Sequence, residues 1–355
     1  MRSSSSPSGG YALPAEWEPQ AAVWLAWPHQ KADWPGRFGP IPWIQAEIIR
    51  HISASQKVRL VVQNAGAEAQ ARQMLARAHA NLKNVEFFRA RTNRGWMRDT
   101  GPVFVYGPKG KTMLDFRSTG WAKYSNHRLD NGLREHLNER LKLPLIKPRY
   151  KGRHIVFEGG GIDANGKGAL LTTEEWLLSD TQVRNPGFTR NDYETIFAQW
   201  LGAEQVIWLG SGIAGDDTHG HVDDLARFVN PGTVAIAVEN NSKDENHAAL
   251  RDNLKRLKRA RDQRGKPLEV VELPMPRPLY FESTRLPASY ANFLITNSLV
   301  LVPTFNDPAD RVALSLLAQC FPGREVVGIH SVELVWGFGT LHCMSMQESL
   351  IAKPA

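Results

Sequence analysis

The chain has 355 residues, 42% of them hydrophobic and 22% charged, which excludes a disordered or fibrous protein and leaves enough sequence for a substantial core. Its 43 basic and 36 acidic residues give a net charge of +7, a field that attracts anions. Much of the excess falls in residues 251–266, which fit the wet face of a helix. No zinc-finger spacing, RNP-like stretch or other docking module accompanies it, so nucleic acid is not an expected partner.

Residues 1–10 are mostly serine, proline and glycine with nothing to bury, and they read as a disordered lead without the apolar core of a secretion signal. Two cysteines, Cys320 and Cys343, are too few for a disulfide scaffold, and no apolar run reaches the length of a membrane span. The expectation is a cytoplasmic protein without membrane contact, folded as a single catalytic domain over residues 11–355. Five of the 11 tryptophans, Trp17, Trp24, Trp27, Trp34 and Trp43, crowd the first stretch and offer rigid surface for a pocket or a homodimer contact.

After the lead, residues 21–27 read as a strand stopped by Pro28. Ile44, Ile48, Ile49 and Ile52 recur at helical spacing behind Pro42, and residues 58–62 form a short buried strand. Ala67, Ala71, Met74, Leu75 and Ala78 predict the next helix, and residues 85–88 the next strand. Strands alternating with helices predict an α/β protein.

A different unit then recurs: a polar element, a strand, a tight turn and a second strand. Asp99 leads into residues 103–106, a Gly107-Pro108-Lys109-Gly110 turn, and residues 112–116. Glu158 leads, through Gly159, Gly160 and Gly161, to an Asn165-Gly166 turn and residues 168–172. His221 and Asp223 lead into residues 225–229 and 233–238, and Ser289 and Tyr290 into residues 291–296 and 299–302. Helices separate the units. One covers residues 128–141, one residues 193–201, one follows a capping-box spacing of Ser242 and Glu245, and one starts at Asp307-Pro308 with Val312, Leu316, Leu317 and Cys320 along one face.

The polar elements at Asp99, Glu158, His221, Ser289 and Cys343 lie 59, 63, 68 and 54 residues apart. Near-regular spacing marks a repeat architecture, and five units that leave no exposed edge close into a ring. The fifth unit has few residues after Cys343, so the N-terminal strand is the piece available to complete it. In a closed ring the polar elements face one axial opening.

Cys343 ends the stretch Gly337-Phe338-Gly339-Thr340-Leu341-His342-Cys343, where two glycines permit a close backbone approach. A lone buried cysteine is more often a packed apolar residue, and Cys320 fits that description. A thiolate, a histidine able to move protons and carboxylates able to hold a cation are the parts needed to attack a guanidinium carbon. His219 and His342 rival His221 by position alone; His342 points away from Cys343 if its segment is extended. Asp216, Asp217, His219, His221, Asp223 and Asp224 are dense enough in donors to suggest a divalent metal, but no second histidine cluster completes that site. The glycines after Glu158 lack the strand and spacing of a dinucleotide fingerprint.

With these motifs the chain resembles the agmatine deiminases and bacterial-type peptidylarginine deiminases, guanidine-modifying enzymes that share a five-bladed α/β propeller, the pentein fold. The resemblance runs from Leu13-Pro14-Ala15-Glu16-Trp17 to Gln347. It includes Arg98-Asp99-Thr100-Gly101-Pro102, Glu158-Gly159-Gly160-Gly161, residues 216–223, Ser289-Tyr290-Ala291-Asn292-Phe293, Phe321-Pro322-Gly323-Arg324 and the cysteine loop. It implies an enzyme without cofactor or metal, in which Cys343 attacks the guanidinium carbon to give a thiouronium intermediate. It further implies that His221 is acid and base, that Glu158 orients His221, and that Asp99 and Asp223 hold the guanidinium nitrogens. Asp216 or Asp217, with Trp96, Trp121, Phe338 and Gly339, would surround the rest of a small cationic substrate. Agmatine, hydrolysed to N-carbamoylputrescine and ammonia on a route to putrescine and the polyamines, fits that implication first. Free arginine, a C-terminal peptidylarginine or another guanidine, amidino transfer to an amine, and a non-catalytic ligand- or polyanion-binding propeller are the alternatives. Two departures bear on the choice: Arg117 brings an unexpected cation into the segment 116–121, and Phe338 replaces a glycine usual in agmatine enzymes.

Overall fold

Each polar segment leads into a small sheet, and five such sheets form the ring. The computed structural model describes residues 10–350, so residues 1–9 of the expected disordered lead lie outside the described residues. In the first sheet Val103–Gly107 folds back antiparallel on Gly110–Leu114, and Leu145–Ile146 follows in parallel after the helix Arg128–Leu141. The order recurs with Asp163–Ala164, Ala169–Thr173, the helix Arg190–Leu201 and Gln205–Leu209. It recurs again with Ala226–Asn230, Thr233–Val238, the helix Asn246–Arg259 and Glu269–Pro274. The fourth sheet has Leu294–Ile295, Leu299–Thr304, the helix Ala309–Cys320 and Glu325–His330. A hairpin turn joins each antiparallel pair, whereas the parallel return needs the helix to cross over.

Both ends of the chain build the fifth sheet. Ser345–Ser349 pairs antiparallel with Gln20–Ala26, and Val58–Val62 and Val85–Arg89 add in parallel behind the helices Ile41–Ser53 and Ala65–Arg77. The N-terminal strand therefore completes the last blade, as the spacing requires. The ring is a five-bladed α/β propeller, and hydrogen bonds stitch each blade to the next. Gly160 N donates to Asp99 Oδ1 at 3.0 Å, Phe228 N to Asp163 Oδ2 at 2.6 Å, and Arg227 Nη1 to Phe293 O at 2.9 Å. His342 N donates to Asn292 O at 3.2 Å, and Arg98 N to Cys343 O at 3.1 Å, which closes the circle.

The strands pack helices on one side and the axis on the other, so Thr233–Val238 is buried throughout while Asn246–Arg259 buries mainly Leu250 and Leu257 among its apolar residues. Its lysines and arginines form the wet face expected of them. Among the described residues no helix is long and apolar enough to cross a membrane.

Several expectations need correction. Ser242 and Glu245 form no capping box. Asp244 Oδ1 accepts from Asn246 N at 2.8 Å, and Glu245 is drawn to Arg285, so the start of that helix has another partner set. On Ala309–Cys320 the buried positions are Ala313 and Leu317, Cys320 is half-buried, and Val312 is 50% exposed. The fourth hairpin uses only Leu294–Ile295 where residues 291–296 were expected, because Asn292 is drawn into the axial network. Of the early tryptophans, Trp24, Trp27 and Trp34 are core residues, Trp17 is half-buried, and Trp43, at 44%, is exposed.

Candidate active site

Short, tightly turned segments deliver every polar group to the axis. Asp99 lies on the one-turn helix Met97–Thr100, and Glu158 precedes the 3-10 turn Gly159–Gly161. His221 enters the 3-10 turn Val222–Asp224, which carries Asp223. Cys343 follows the 3-10 turn Leu334–Gly337 and a left-handed Phe338, with φ of 63°. Gly160 shows why a glycine is required: a Cβ there would lie 2.6 Å from His221 Nδ1 and 3.1 Å from both Asp223 Oδ2 and Asp99 Oδ1. Three polar groups from two segments thus crowd one backbone position.

Glu158 is fixed by Arg184 at 3.0 Å and by Trp176 Nε1, which donates at 2.8 Å. His221 Nε2 donates to Glu158 Oε2 at 3.0 Å, and its buried Nδ1 has no partner, standing 3.9 Å from Asp99 Oδ2. Burial works against charge on His221, but Asp99 and Glu158 outweigh it and push the imidazole up to about 9. Burial also opposes ionisation of Glu158, yet Arg184 and His221 bring its carboxyl down to about 2.

Asp99 accepts from Trp121 Nε1 at 2.8 Å, and burial raises its carboxyl. Asp223 Oδ2 is 2.7 Å from His342 Nδ1 and 3.5 Å from Cys343 Sγ, while Oδ1 is buried without a partner. Asn292 Nδ2 donates to both Cys343 Sγ and Asp224 Oδ1 at 3.0 Å. Burial, and then Asp223, Asp224 and Asp99, raise the Cys343 thiol well above its ordinary range. An empty site therefore holds a neutral thiol among carboxylates, and a cation entering between them reverses that balance.

A cavity of about 320 Å³ opens above this floor, with Asp99 and Cys343 in its lining. Trp96, Trp121, Phe338 and Gly339 line it, and so does Asp217. Asp216 does not: its carboxylate accepts from Thr218 N at 2.8 Å, Gly220 N at 2.7 Å and His221 N at 3.1 Å, so it shapes the histidine loop instead. Arg94 reaches the cavity but is paired with Asp33. Arg117 is exposed and outside the lining. Asp223, Asp224 and Cys343 bring donor atoms within 4.8 Å of one another. The N–H of Asn292 already points at two of those atoms, an arrangement suited to a hydrogen-bonding cation more than to a metal.

Residues 12–348 match the family model for Porphyromonas-type peptidyl-arginine deiminase. The chain belongs to that family. Among relatives of this deiminase-family chain, the agmatine deiminase of Pseudomonas syringae pv. syringae is 33% identical, over 96% of this chain and 95% of the relative. The solved agmatine deiminase of Enterococcus faecalis superposes with a TM-score of 0.86 at 30% identity, over 98% of each chain. A C. jejuni agmatine deiminase with substrate bound gives 0.84 at 30% identity, over 95% of this chain and 96% of the other.

Of the two rival histidines in this family member, His219 turns outward, its Nε2 3.0 Å from Ser179 Oγ, on a left-handed backbone with φ of 63°. His342 does not point away from the site. Residues 341–344 form a turn and not a strand, which rotates its ring onto Asp223. Asn292, Glu16, Arg184 and Trp176 carry no role that the sequence marks, and Asp224 stands out there only as one of the candidate metal donors. Asn292 had a signal, since it is the polar residue at the mouth of the fourth hairpin, the position Asp99 and Asp223 hold in theirs. Trp176 lies on the short helix Glu174–Leu178 and Arg184 in the loop after it, both within the second blade, with no periodicity to mark them.

Proposed function

We propose that this chain hydrolyses agmatine to N-carbamoylputrescine and ammonia. The carrying observation is the thiol of Cys343 set beside Asp223, whose Oδ1 is buried and unpartnered, with Asp99 across the cavity floor. A planar guanidinium offers the N–H donor that Asp223 Oδ1 lacks and a further donor toward Asp99, and its charge favours the thiolate. The Cys343 sulfur attacks the central carbon and forms a C–S bond. The adduct collapses, the C–N bond breaks, and His221 protonates the departing ammonia. Water then attacks the thiouronium carbon, gives a proton to His221, and the C–S bond breaks to return the thiolate. Glu158 holds His221 in position for both transfers.

The cavity favours an amine-ended substrate over arginine. Its lining cation, Arg94, is committed to Asp33, which leaves no free guanidinium for an α-carboxylate, whereas Glu282, unpaired among the described residues, contributes negative charge. Arg117 stays outside, so that departure does not change the pocket. Incubation with agmatine, free arginine and an arginine peptide, without added metal, tests the reading by ammonia and ureido product. Agmatine should be turned over fastest, and Cys343→Ala should fold normally without turnover. Absence of turnover with all three substrates rejects the reading.

A further inference from the structure

The residue before Cys343 bridges two buried carboxylates. His342 Nδ1 is 2.7 Å from Asp223 Oδ2 and Nε2 is 2.8 Å from Glu16 Oε2, and all three side chains are buried. An ionised carboxylate only accepts, so a ring held this way at both nitrogens donates from both and carries a positive charge. Glu16 is fixed from other directions: Arg227 Nη2 donates to it at 2.6 Å, Ile295 N donates at 2.7 Å, and Arg98 Nη2 stands 3.7 Å away. Arg227 also holds Asp163 at 3.0 Å. The cations Arg98, Arg227 and His342 thus balance Glu16, Asp163 and Asp223.

We infer that His342 is a positioning residue, which clamps Asp223 through Oδ2 so that Oδ1 alone faces the substrate, and which ties that posture to Glu16 in the segment before the N-terminal strand. The inference rests on the guanidinium reading above. A carboxylate without the clamp could turn either oxygen to the cavity or to Cys343 Sγ. Burial opposes charge on Asp223, and the bond and charge of His342 are the leading influences that hold its carboxyl below the ordinary range. His342 touches neither cavity nor substrate; it acts through Asp223.

Alkylation of Cys343 by two reagents tests this without requiring turnover. 2-Chloroacetamidine is a planar cation and iodoacetamide is neutral; each forms a thioether with loss of halide, followed by mass on the Cys343 peptide. Wild-type protein should react faster with the amidine. His342→Gln should lose about tenfold or more of the amidine rate, the scale expected when an orienting group is misplaced, and keep its iodoacetamide rate within about twofold. His342→Asn, whose amide nitrogen stands near the place of Nδ1, should recover much of the loss. Should H342Q not fold by melting, Glu16→Gln carries the same comparison, with a smaller selective loss. Equal loss with both reagents, or loss with neither, in a folded variant overturns the inference alone. A wild type that shows no preference for the amidine overturns the guanidinium reading and the inference with it.

Discussion

His221 is hydrogen-bonded on one side only: Nε2 donates to Glu158 Oε2 at 3.0 Å, and Nδ1, 3.9 Å from Asp99 Oδ2, has no partner. The bonded nitrogen sets the charge of the ring, and the free one is available to move protons. With the imidazole pushed up to about 9, kcat should fall as pH rises through that value, because deprotonated His221 has no proton for the leaving ammonia. Glu158→Gln removes one of the charges that raise it. The alkaline limb should move down by about one unit or more, and kcat at neutral pH should drop. A limb that stays in place in E158Q would assign the proton transfer to another group.

The same pair makes stability depend on pH at both ends. The folded value for His221, about 9, exceeds the ordinary 6.5, so its contribution is complete below 6.5 and is lost as pH rises through about 9. The folded value for Glu158, about 2, lies under the ordinary 4.5, so its contribution is present above 4.5 and is lost as pH falls through about 2. Each shift corresponds to about 3 kcal/mol at full effect. Melting temperatures between pH 6.5 and 9.5 should fall more steeply for wild type than for His221→Asn. Parallel curves would count against a charged His221 in the folded state.

Asn292 holds the nucleophile loop through one amide. Its Oδ1 accepts from Thr340 Oγ1 at 2.7 Å, His342 N at 3.0 Å and Cys343 N at 3.4 Å, while Nδ2 donates to Cys343 Sγ. Asn292→Ala leaves several buried groups unpaired, which should cost about 1–3 kcal/mol of stability. Asn292→Asp keeps the acceptor but sets a carboxylate beside Sγ and Asp224, so it should retain more of the fold than N292A and lose activity through a still higher thiol pKa. Thermal melts with iodoacetamide rates against pH separate the two effects. An N292D thiol that ionises as readily as wild type would refute the account.

The ring was legible because its repeat is long and its turns are marked. Gly107 to Gly110 and Asn230-Pro231-Gly232 fix two hairpins, and the shortage of residues after Cys343 left only Gln20–Ala26 to finish the last sheet. The proposed catalytic residues were legible because Asp99, Glu158, His221 and Asp223 stand before a hairpin or a glycine turn and Cys343 follows one. What escaped was set by side-chain direction. The turn at 341–344 put His342 inward, and the two adjacent aspartates parted, Asp216 binding its own loop and Asp217 facing the cavity. Neither spacing nor residue type separates such neighbours, since one peptide unit and its torsions decide which face a carboxylate takes.

Asp216 and Glu282 give contrasting predictions. Asp217 is engaged by Lys123 and by Tyr124 Oη, which donates at 2.8 Å, so the acid with no such engagement at the cavity is Glu282, exposed on the hairpin of Tyr280–Phe281 and Thr284–Arg285. An exposed ion pair contributes roughly 0.2–1 kcal/mol, so Glu282→Gln should raise KM for agmatine about two- to fivefold, leave kcat nearly unchanged, and lose its effect in high salt. Asp216→Asn should behave in the opposite manner. Its carboxylate caps Thr218, Gly220 and His221, so the variant should melt lower and lose kcat through a displaced His221, with little salt dependence. Steady-state kinetics at low and high salt, beside melting curves, distinguish the two patterns. A D216N enzyme that changes only in KM would return Asp216 to the substrate pocket.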